Sequence, residues 1–232
     1  MRTPGEDEEL AVGFLAGEGL IAGRVDLKSV GPTDDLASNV VEVRTRAGMR
    51  RDPAGERRFY LTSSCGVCGK GALEYVRQAV PAEPESSDER STLTPEAVLA
   101  APARARREQR AFERTGGLHA TALFGADGVP IVVREDVGRH NAMDKALGAL
   151  LLAGRYPPAG EALWACVSGR ASFELVQKAS LAGLAGIVAV GAPSTLAVSL
   201  ARDRGMVLCG FVRGGGFNVY ASAEGVSCGQ GE

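Results

Sequence analysis

The second half of the chain alternates apolar runs with amphipathic segments, and this order restricts the fold more than any other feature. Strands are predicted at 162–167, 186–190 and 206–211. Helices are predicted beside them, at 141–152, 172–182 and 195–201. Because strands that alternate with helices usually pair in parallel beneath helical layers, we expect an α/β domain with a mostly parallel sheet.

The region before this alternation predicts a second, smaller domain. Its features are a helix at 7–15, a hairpin at 40–61, a loop rich in Pro, Ser and Glu at 81–90, and a helix from Thr94-Pro95 to Gly116-Gly117 with Pro102 as a candidate kink. A hairpin at 119–133 then opens the α/β part. We therefore predict an N-terminal α+β domain with a helical linker (1–115) and an α/β domain (116–232). The hairpin arginines are either a solvated face or an anion-facing patch.

Composition excludes several classes of protein. The net charge is −2 and the pI is about 5.8, which argues against a general nucleic-acid binder. No apolar run is long enough to span a bilayer, and the acidic N-terminus does not resemble a secretory signal. The 5 cysteines have no framework spacing, which fits a reducing cytoplasm.

Two cysteines form a Cys-x-x-Cys motif, Cys65-Gly66-Val67-Cys68, between a predicted strand and a predicted helix. A helix N-terminus and the nearby Lys70 favour a thiolate over a thiol. Glycines around the pair let another molecule approach the sulfur closely. The motif therefore predicts a reachable, nucleophilic sulfur.

Four roles are possible for this motif. A structural zinc site needs four ligands, but the other cysteines are scattered and only His119 and His140 could join them. A thioredoxin-type redox pair fits the strand, motif and helix order, although the chain is much longer than such a domain. The third possibility is sulfur transfer through a persulfide. The fourth is a purely structural role, with the two cysteines partly buried at a turn. The glycines and the lysine around the motif disfavour this last possibility.

A second polar cluster follows the predicted hairpin, at 134–145, and further polar loops follow the later strands at 168–172, 191–194 and 213–216. Ligands of open α/β sheets bind outside the carboxyl ends of the strands, where these loops should meet. Arginines, glycines and helix N-termini there predict a cradle for a phosphate-bearing, nucleotide-like ligand. Each residue could instead only cap a helix or form an ion pair. A zinc deaminase is disfavoured, because neither His-x-Glu nor Pro-Cys-x-x-Cys stands at the required helices.

These motifs resemble the FdhD family of sulfur carrier proteins required for formate dehydrogenase activity. The resemblance rests on Ser-Ser-Cys65-Gly-Val-Cys68-Gly-Lys, on Arg-Glu-Asp136-Val-Gly138-Arg139-His140-Asn141-Ala-Met-Asp144-Lys145, on Ser168-Gly169-Arg170-Ala-Ser172-Phe-Glu174 and on the opening Met1-Arg2-Thr3-Pro4-Gly5. It extends over nearly the whole chain. Most family members carry further residues before the Met-Arg-Thr-Pro segment.

The resemblance implies a cytoplasmic sulfurtransferase and a homodimer. It would take persulfide sulfur from a cysteine desulfurase and pass it to the molybdenum cofactor, bis-molybdopterin guanine dinucleotide, for formate dehydrogenase. The implied fold is a cytidine-deaminase-like mixed sheet with helices on both faces and no zinc, plus the smaller N-terminal domain. No metal or tightly bound cofactor of its own is implied; the molybdenum cofactor is the acceptor.

The predicted site has two parts. Cys65 and Cys68 are the predicted catalytic residues, with Cys65 as the first choice of carrier. The predicted cofactor-binding residues are Arg139, His140, Asn141, Asp144, Lys145, Ser168, Arg170 and Ser172. Two alternatives stay open: a chaperone that shelters the molybdenum cofactor without transferring sulfur, and a dithiol oxidoreductase.

Overall fold

The computed structural model describes residues 1–32, 39–47, 92–125, 127–158 and 161–226. Its α-helices are α1 (Asp7–Gly17), α2 (Pro95–Arg107), α3 (Arg110–Thr115), α4 (Arg139–Leu152), α5 (Phe173–Leu181) and α6 (Thr195–Asp203). Its strands are β1 (Leu27–Pro32), β2 (Val41–Thr45), β3 (His119–Phe124), β4 (Pro130–Asp136), β5 (Trp164–Val167), β6 (Gly186–Ala189), β7 (Val207–Arg213) and β8 (Gly216–Ala221). The helices and strands predicted for the second half of the chain are confirmed, with ends shifted by a few residues.

The main sheet has six strands in the order β4-β3-β5-β6-β7-β8. The pairs β5–β6 and β6–β7 are parallel, whereas β3 pairs antiparallel with β4 and β5, and β7 pairs antiparallel with β8. The sheet is therefore mixed rather than mostly parallel. Strand β8 was not predicted, because the three glycines at 214–216 were interpreted as a loop that ends the last strand. Gly214 and Gly215 instead take positive φ angles of 60° and 82° and turn the chain back along β7.

Helices cover both faces of this sheet, as predicted. One face carries Leu123, Ala165 and Ile187, which share a core with apolar residues of α1, α4, α5 and α6. The opposite face carries Phe124 and Trp164, which pack with Val98 and other residues of α2. The alternation of side chains along each strand divides the two cores, since neighbouring residues point to opposite faces.

The helical segment after 94 begins as predicted but is divided in two. The Thr94 side chain accepts a hydrogen bond from the Ala97 amide at 3.2 Å, and Pro95 occupies the first helical position. The helix continues through Pro102 and ends at Arg107. A short second helix, α3, follows and ends at Gly116, whose φ of 66° terminates it. The bend between α2 and α3 forms one wall of a cavity of about 660 Å³.

The N-terminal segment packs against the main sheet layer. Helix α1 crosses α4, and its buried residues Val12 and Ala16 belong to the same core as the sheet. Strand β2 pairs antiparallel with β1. The rest of the hairpin predicted at 40–61 lies outside the described residues, so the hairpin stays a prediction. The division at 115/116 stays a prediction. In the described part of the chain, no helix has the length and apolar character needed to cross a membrane.

Candidate functional site

The loops that follow β4, β5, β6 and β7 meet at one edge of the main sheet, where β3 begins. This follows from the strand directions, since β4 and β5 both run antiparallel to β3, and β5, β6 and β7 run parallel. Hydrogen bonds join the loops: the Gly191 amide donates to the Gly169 carbonyl at 2.9 Å, and the Phe211 amide donates to the Gly191 carbonyl at 3.1 Å. The edge predicted from the sequence is present, and we call it the loop edge.

Two histidines contact serines on the loop edge. His140 Nε2 lies 3.1 Å from Ser172 Oγ and 3.2 Å from Glu174 Oε2. His119 Nδ1 lies 3.4 Å from Ser168 Oγ, which also accepts a hydrogen bond from the Ala120 amide at 2.9 Å. Burial lowers the pKa of His119, and the positive charges of Arg139 and His140 lower it further. His119 is therefore a neutral imidazole at pH 7.

Helix N-termini at the loop edge favour an anion. The N-cap of α4 is Gly138, which has no side chain to cap the helix, and Ser172 makes no side-chain cap at α5 within the described residues. By contrast, Ser194 Oγ caps α6 by accepting from the Ala197 amide. The buried Nε of Arg139 has no hydrogen-bond partner among the described residues. The amides at the start of α4 and a guanidinium with an unused donor are groups that bind phosphates, whereas at the start of α5 the Glu174 carboxylate accepts a hydrogen bond from its own amide.

Asp136 is fully buried, and its carboxylate stabilises the turn that carries Arg139 and His140. Its Oδ1 accepts hydrogen bonds from the Gly138 amide and the Asn141 side chain, both at 2.9 Å. Its Oδ2 accepts from the Thr3 amide at 2.9 Å and lies 3.1 Å from Lys145 Nζ. Four donors therefore surround this carboxylate and fix the turn relative to the N-terminal segment.

Lys145 and Asp144, both predicted to bind the ligand, are enclosed. Lys145 is fully buried and donates to the Thr3 carbonyl at 2.9 Å in addition to its ion pair with Asp136. Asp144 pairs with the buried Lys178 at 2.9 Å. Burial raises the pKa of Asp144, while the positive charge of Lys178 opposes this effect. Direct contact of Asp144 or Lys145 with a ligand stays a prediction, and the burial of both side chains disfavours such contact.

The other predicted residues divide between the surface and parts of the chain that are not described. Arg139, His140, Ser168 and Ser172 gather at the loop edge, with Arg170 exposed beside them. Asn141 points its amide at Asp136 and at the Met1 carbonyl, which it reaches at 3.0 Å. Cys65 and Cys68 lie outside the described residues.

Within the described ranges, no three His, Cys, Asp or Glu side chains gather as a metal site would require.

The site predictions omitted two residues. His119 entered the sequence argument only as a possible zinc ligand, and Glu174 only as part of a motif. No local signal could have found them, since their partners Ser168 and His140 are 49 and 34 positions away along the chain. Folding of the sheet brings these distant positions together at the loop edge.

The His140–Glu174 pair predicts a specific dependence on pH. The hydrogen bond from His140 lowers the pKa of the Glu174 carboxyl, so its contribution to stability is present above the ordinary glutamate pKa and is lost as the pH falls through the lower folded value. Both side chains are about a quarter exposed, at 28% and 26%. Solvent screening therefore limits the effect of Glu174→Gln at pH 7 to about 0.5–1 kcal/mol.

Urea unfolding from about pH 7 to about pH 3 measures this effect. The difference between the wild type and Glu174→Gln should shrink toward the acid end. The matched control is Glu161→Gln, which removes an exposed surface pair with Arg155 and should cost at most about 0.5 kcal/mol. A Glu174→Gln difference that grows on acidification would contradict the assigned direction.

The fold and the loop edge together define a mixed α/β protein with a cluster of polar side chains and helix N-termini at one end of its main sheet. The model of the FdhD/NarQ family matches residues 1–227. A sulfur carrier protein FdhD from Anaeromyxobacter dehalogenans strain 2CP-1 is 48% identical over 236 residues, covering 97% of this chain and 81% of the relative. One from Streptomyces coelicolor is 49% identical over 234 residues, covering 98% and 82%. The chain belongs to the FdhD/NarQ family.

A solved structure has the same fold. The crystal structure from Desulfotalea psychrophila, assigned to a formate dehydrogenase accessory protein, superposes with a TM-score of 0.71 at 24% sequence identity. The match covers 98% of this chain and 82% of that chain. It supports the mixed α/β architecture; the cytidine-deaminase-like details stay a prediction.

Proposed function

We propose that this protein is a sulfur carrier that accepts sulfur at Cys65 and delivers it to an anionic acceptor bound at the loop edge. The donor is the persulfide of a cysteine desulfurase, the acceptor is bis-molybdopterin guanine dinucleotide, and the client is formate dehydrogenase. Family membership and the names of the similar relatives support the sulfur-carrying role. The observation that carries the acceptor assignment is the start of α4, which has no side-chain cap, beside the buried Arg139 Nε, which has no partner among the described residues.

The residues at the loop edge fit the phosphates of such an acceptor. Arg139 has an unused donor, the amides at the start of α4 are aligned with the positive end of that helix, and Ser172 adds a hydroxyl. Arg170 is exposed beside them and can fold over a bound anion. Asp136 and Lys145 hold the turn in place, so that the anion meets a site formed in advance.

The sulfur-accepting step needs a thiolate. In our proposal the Cys65 thiolate attacks the terminal sulfur of the desulfurase persulfide; a new S–S bond forms on Cys65, the old S–S bond breaks, and the desulfurase cysteine leaves as a thiolate. Lys70 stabilises the anion, and Cys68 assists or protects it. Cys166 and Cys209 are unsuited to this step, because burial raises the pKa of each thiol to about 12 and keeps it protonated.

Mass spectrometry after incubation with a cysteine desulfurase and cysteine tests the proposal. The peptide containing Cys65 should gain the mass of one sulfur atom and lose it when the molybdenum cofactor is added. Cys65→Ala should abolish the gain and the activation of formate dehydrogenase, because it removes the thiolate that accepts the sulfur in our proposal.

Cys209→Ala is the matched control, because its thiol is buried in the core away from the loop edge. It should leave the persulfide on Cys65 unchanged. Activation of formate dehydrogenase by Cys65→Ala would exclude sulfur transfer at this residue and favour a cofactor-sheltering chaperone. A reversible Cys65–Cys68 disulfide without any persulfide would favour a dithiol oxidoreductase.

A further inference from the structure

Helix α3 stands between solvent and part of the cavity at the α2–α3 bend. The cavity is lined on this side by Phe112 of α3 and by Gly116 and Gly117, which follow the helix and are exposed. Its opposite side reaches the main sheet, where Cys166 of β5 lines it and is only 2% exposed. The position of α3 therefore determines whether a molecule from solvent can reach Cys166 through the cavity.

Apolar burial contributes little to holding α3 in place. None of its six residues is buried; Ala111 and Phe112 are partly buried, and the other four are exposed. A helix of this length does not persist alone in water, because nucleation costs more than its few hydrogen bonds return. Segments with few buried apolar contacts open locally while the rest of the protein stays folded. Helix α3 has the character of such a segment.

A carboxylate from the main sheet supplies the N-terminal cap of α3. The N-cap residue Gln109 makes no side-chain cap among the described residues. Glu135 of β4 instead accepts a hydrogen bond from the Phe112 amide at 2.7 Å and from the Ala111 amide at 2.8 Å, one with each carboxylate oxygen. Hydrogen bonds to an ionised acceptor are the stronger kind, and a negative charge also stabilises a helix N-terminus. One side chain therefore connects α3 to the sheet.

The chain on either side of α3 can bend. Residues 108–109 separate α3 from α2, and Gln109 has non-helical backbone angles. At the other end, Gly116 takes a positive φ angle, and a Cβ built on it would meet no atom within 4 Å. We call 108–109 and 116–117 the joints. Besides Glu135, the stack of Arg106 on the Phe112 ring, 4.4 Å from the ring centre, holds α3 closed.

We propose that α3 is a lid over this cavity and that Glu135 is the residue that holds the lid closed. When the two hydrogen bonds break, water replaces them on both partners, and α3 moves away from β4 about the joints. Small molecules then enter the cavity and reach Cys166. The lid acts on any small molecule that enters, so this inference does not depend on the acceptor proposed above.

Alkylation of the full chain with N-ethylmaleimide, followed by peptide mass spectrometry, tests the lid without any nucleotide. Cys209 is the internal reference, because it is buried in the core and does not line the cavity. Burial raises the pKa of both thiols to about 12, so their chemistry is comparable. Cys166 should be labelled at least about tenfold faster than Cys209, because lid opening needs less free energy than global unfolding.

The dependence on urea separates lid opening from global unfolding. Opening of a short helix exposes little surface, so labelling of Cys166 should change little at urea concentrations below the unfolding transition. Labelling of Cys209 should rise steeply over the same range, because it requires global unfolding. Equal labelling rates and equal urea dependence for the two cysteines would overturn the proposal.

Glu135→Gln is the variant that should release the lid. Glutamine keeps the size of the side chain but loses the charge, and its amino group would face an amide donor of α3. Labelling of Cys166 without urea should become about 10- to 100-fold faster, and it should stay nearly independent of urea. The matched control is Glu113→Gln, an exposed position of α3 itself, which should label as the wild type does. Labelling of Cys166 at the wild-type rate in Glu135→Gln would overturn the assignment.

A substitution at a joint tests the lid in the opposite direction, and it decides the matter if Glu135→Gln does not fold. A Cβ at Gly117 would meet no atom closer than the Thr115 carbonyl at 3.9 Å, so Gly117→Ala fits the closed state. Alanine restricts the backbone of the open state, and labelling of Cys166 should therefore become about 2- to 5-fold slower. A wild-type labelling rate in Gly117→Ala would contradict opening about this joint.

Discussion

Replacing Lys145 with methionine is expected to lower the free energy of unfolding by about 3–5 kcal/mol, because it leaves the carboxylate of Asp136 buried without its cation. The two side chains are both 0% exposed, and their charged atoms are 3.1 Å apart. Methionine matches the lysine stem in length but supplies no proton for Asp136 or for the Thr3 carbonyl. Urea unfolding at pH 7, with the midpoint and the slope both fitted, measures the loss.

The same substitution at Lys28 is the matched control, since this lysine is exposed on β1. Lys28→Met should change stability by no more than about 0.5 kcal/mol. Asp136→Asn combined with Lys145→Met should recover part of the loss, because the double variant no longer buries an unpaired charge; a coupling of about 1–3 kcal/mol is expected. A cost below about 1 kcal/mol for Lys145→Met alone would show that Asp136 does not need its cation.

The prediction for Lys145 extends to binding, because Asp136 fixes the turn that carries Arg139. Loss of the cation leaves Oδ2 with the Thr3 amide alone, and the carboxylate that also accepts from the Gly138 amide is then less restrained. The start of α4 would become less ordered, and an anion would have to order it on binding. Affinity for GDP, used as a probe for the guanine dinucleotide part of the proposed acceptor, should therefore fall in Lys145→Met even at temperatures where the variant is folded.

The sequence predicted well those elements whose signals are local. The strand at 119–124 was predicted at the bounds it has in the structure, because Gly117 and the Gly125–Gly128 turn bracket a short apolar run. The start of α2 was predicted because Thr94 and Pro95 form an N-terminal signal that depends on adjacent residues only. The loop edge was predicted because strand direction follows from alternation with helices.

What the sequence could not predict depends on distance along the chain. Pairing of β1 with β2 was not predicted, because the alternation in β2 was assigned to a hairpin with the residues that follow it. Gln109 looks like an ordinary polar residue of a linker, and only the packing of α2 and α3 against the sheet encloses it. The burial of Asp144 and Lys145 depends on the residue at which α4 begins. A helix starting at 139 instead of 141 places these two residues more than one turn below the edge, where they are buried.

Substituting alanine for Gly148 is expected to destabilise the protein by about 3 kcal/mol or more, at the upper end of the overpacking range. A Cβ at Gly148 would overlap the backbone carbonyl of Glu9 in α1, and a Cβ at Gly13 would likewise overlap the carbonyl of Asp144 in α4. The atoms in the way are backbone atoms, which no side-chain rotation can clear, so the two helices must separate.

Separation of α1 from α4 should also weaken the loop edge. Helix α1 follows directly from the segment whose Thr3 bonds Asp136, and Gly17 lies against the Asp144–Lys178 pair. Thermal unfolding and GDP titration of Gly148→Ala should therefore both show a loss, despite the better helix propensity of alanine by about 1 kcal/mol. Gly216→Ala is the control, because no atom lies within 4 Å of a Cβ built there, and it should behave as the wild type does. Wild-type stability in Gly148→Ala would mean that α1 can shift on α4 without disturbing the core, and that the close crossing is not what holds the N-terminal segment against Asp136.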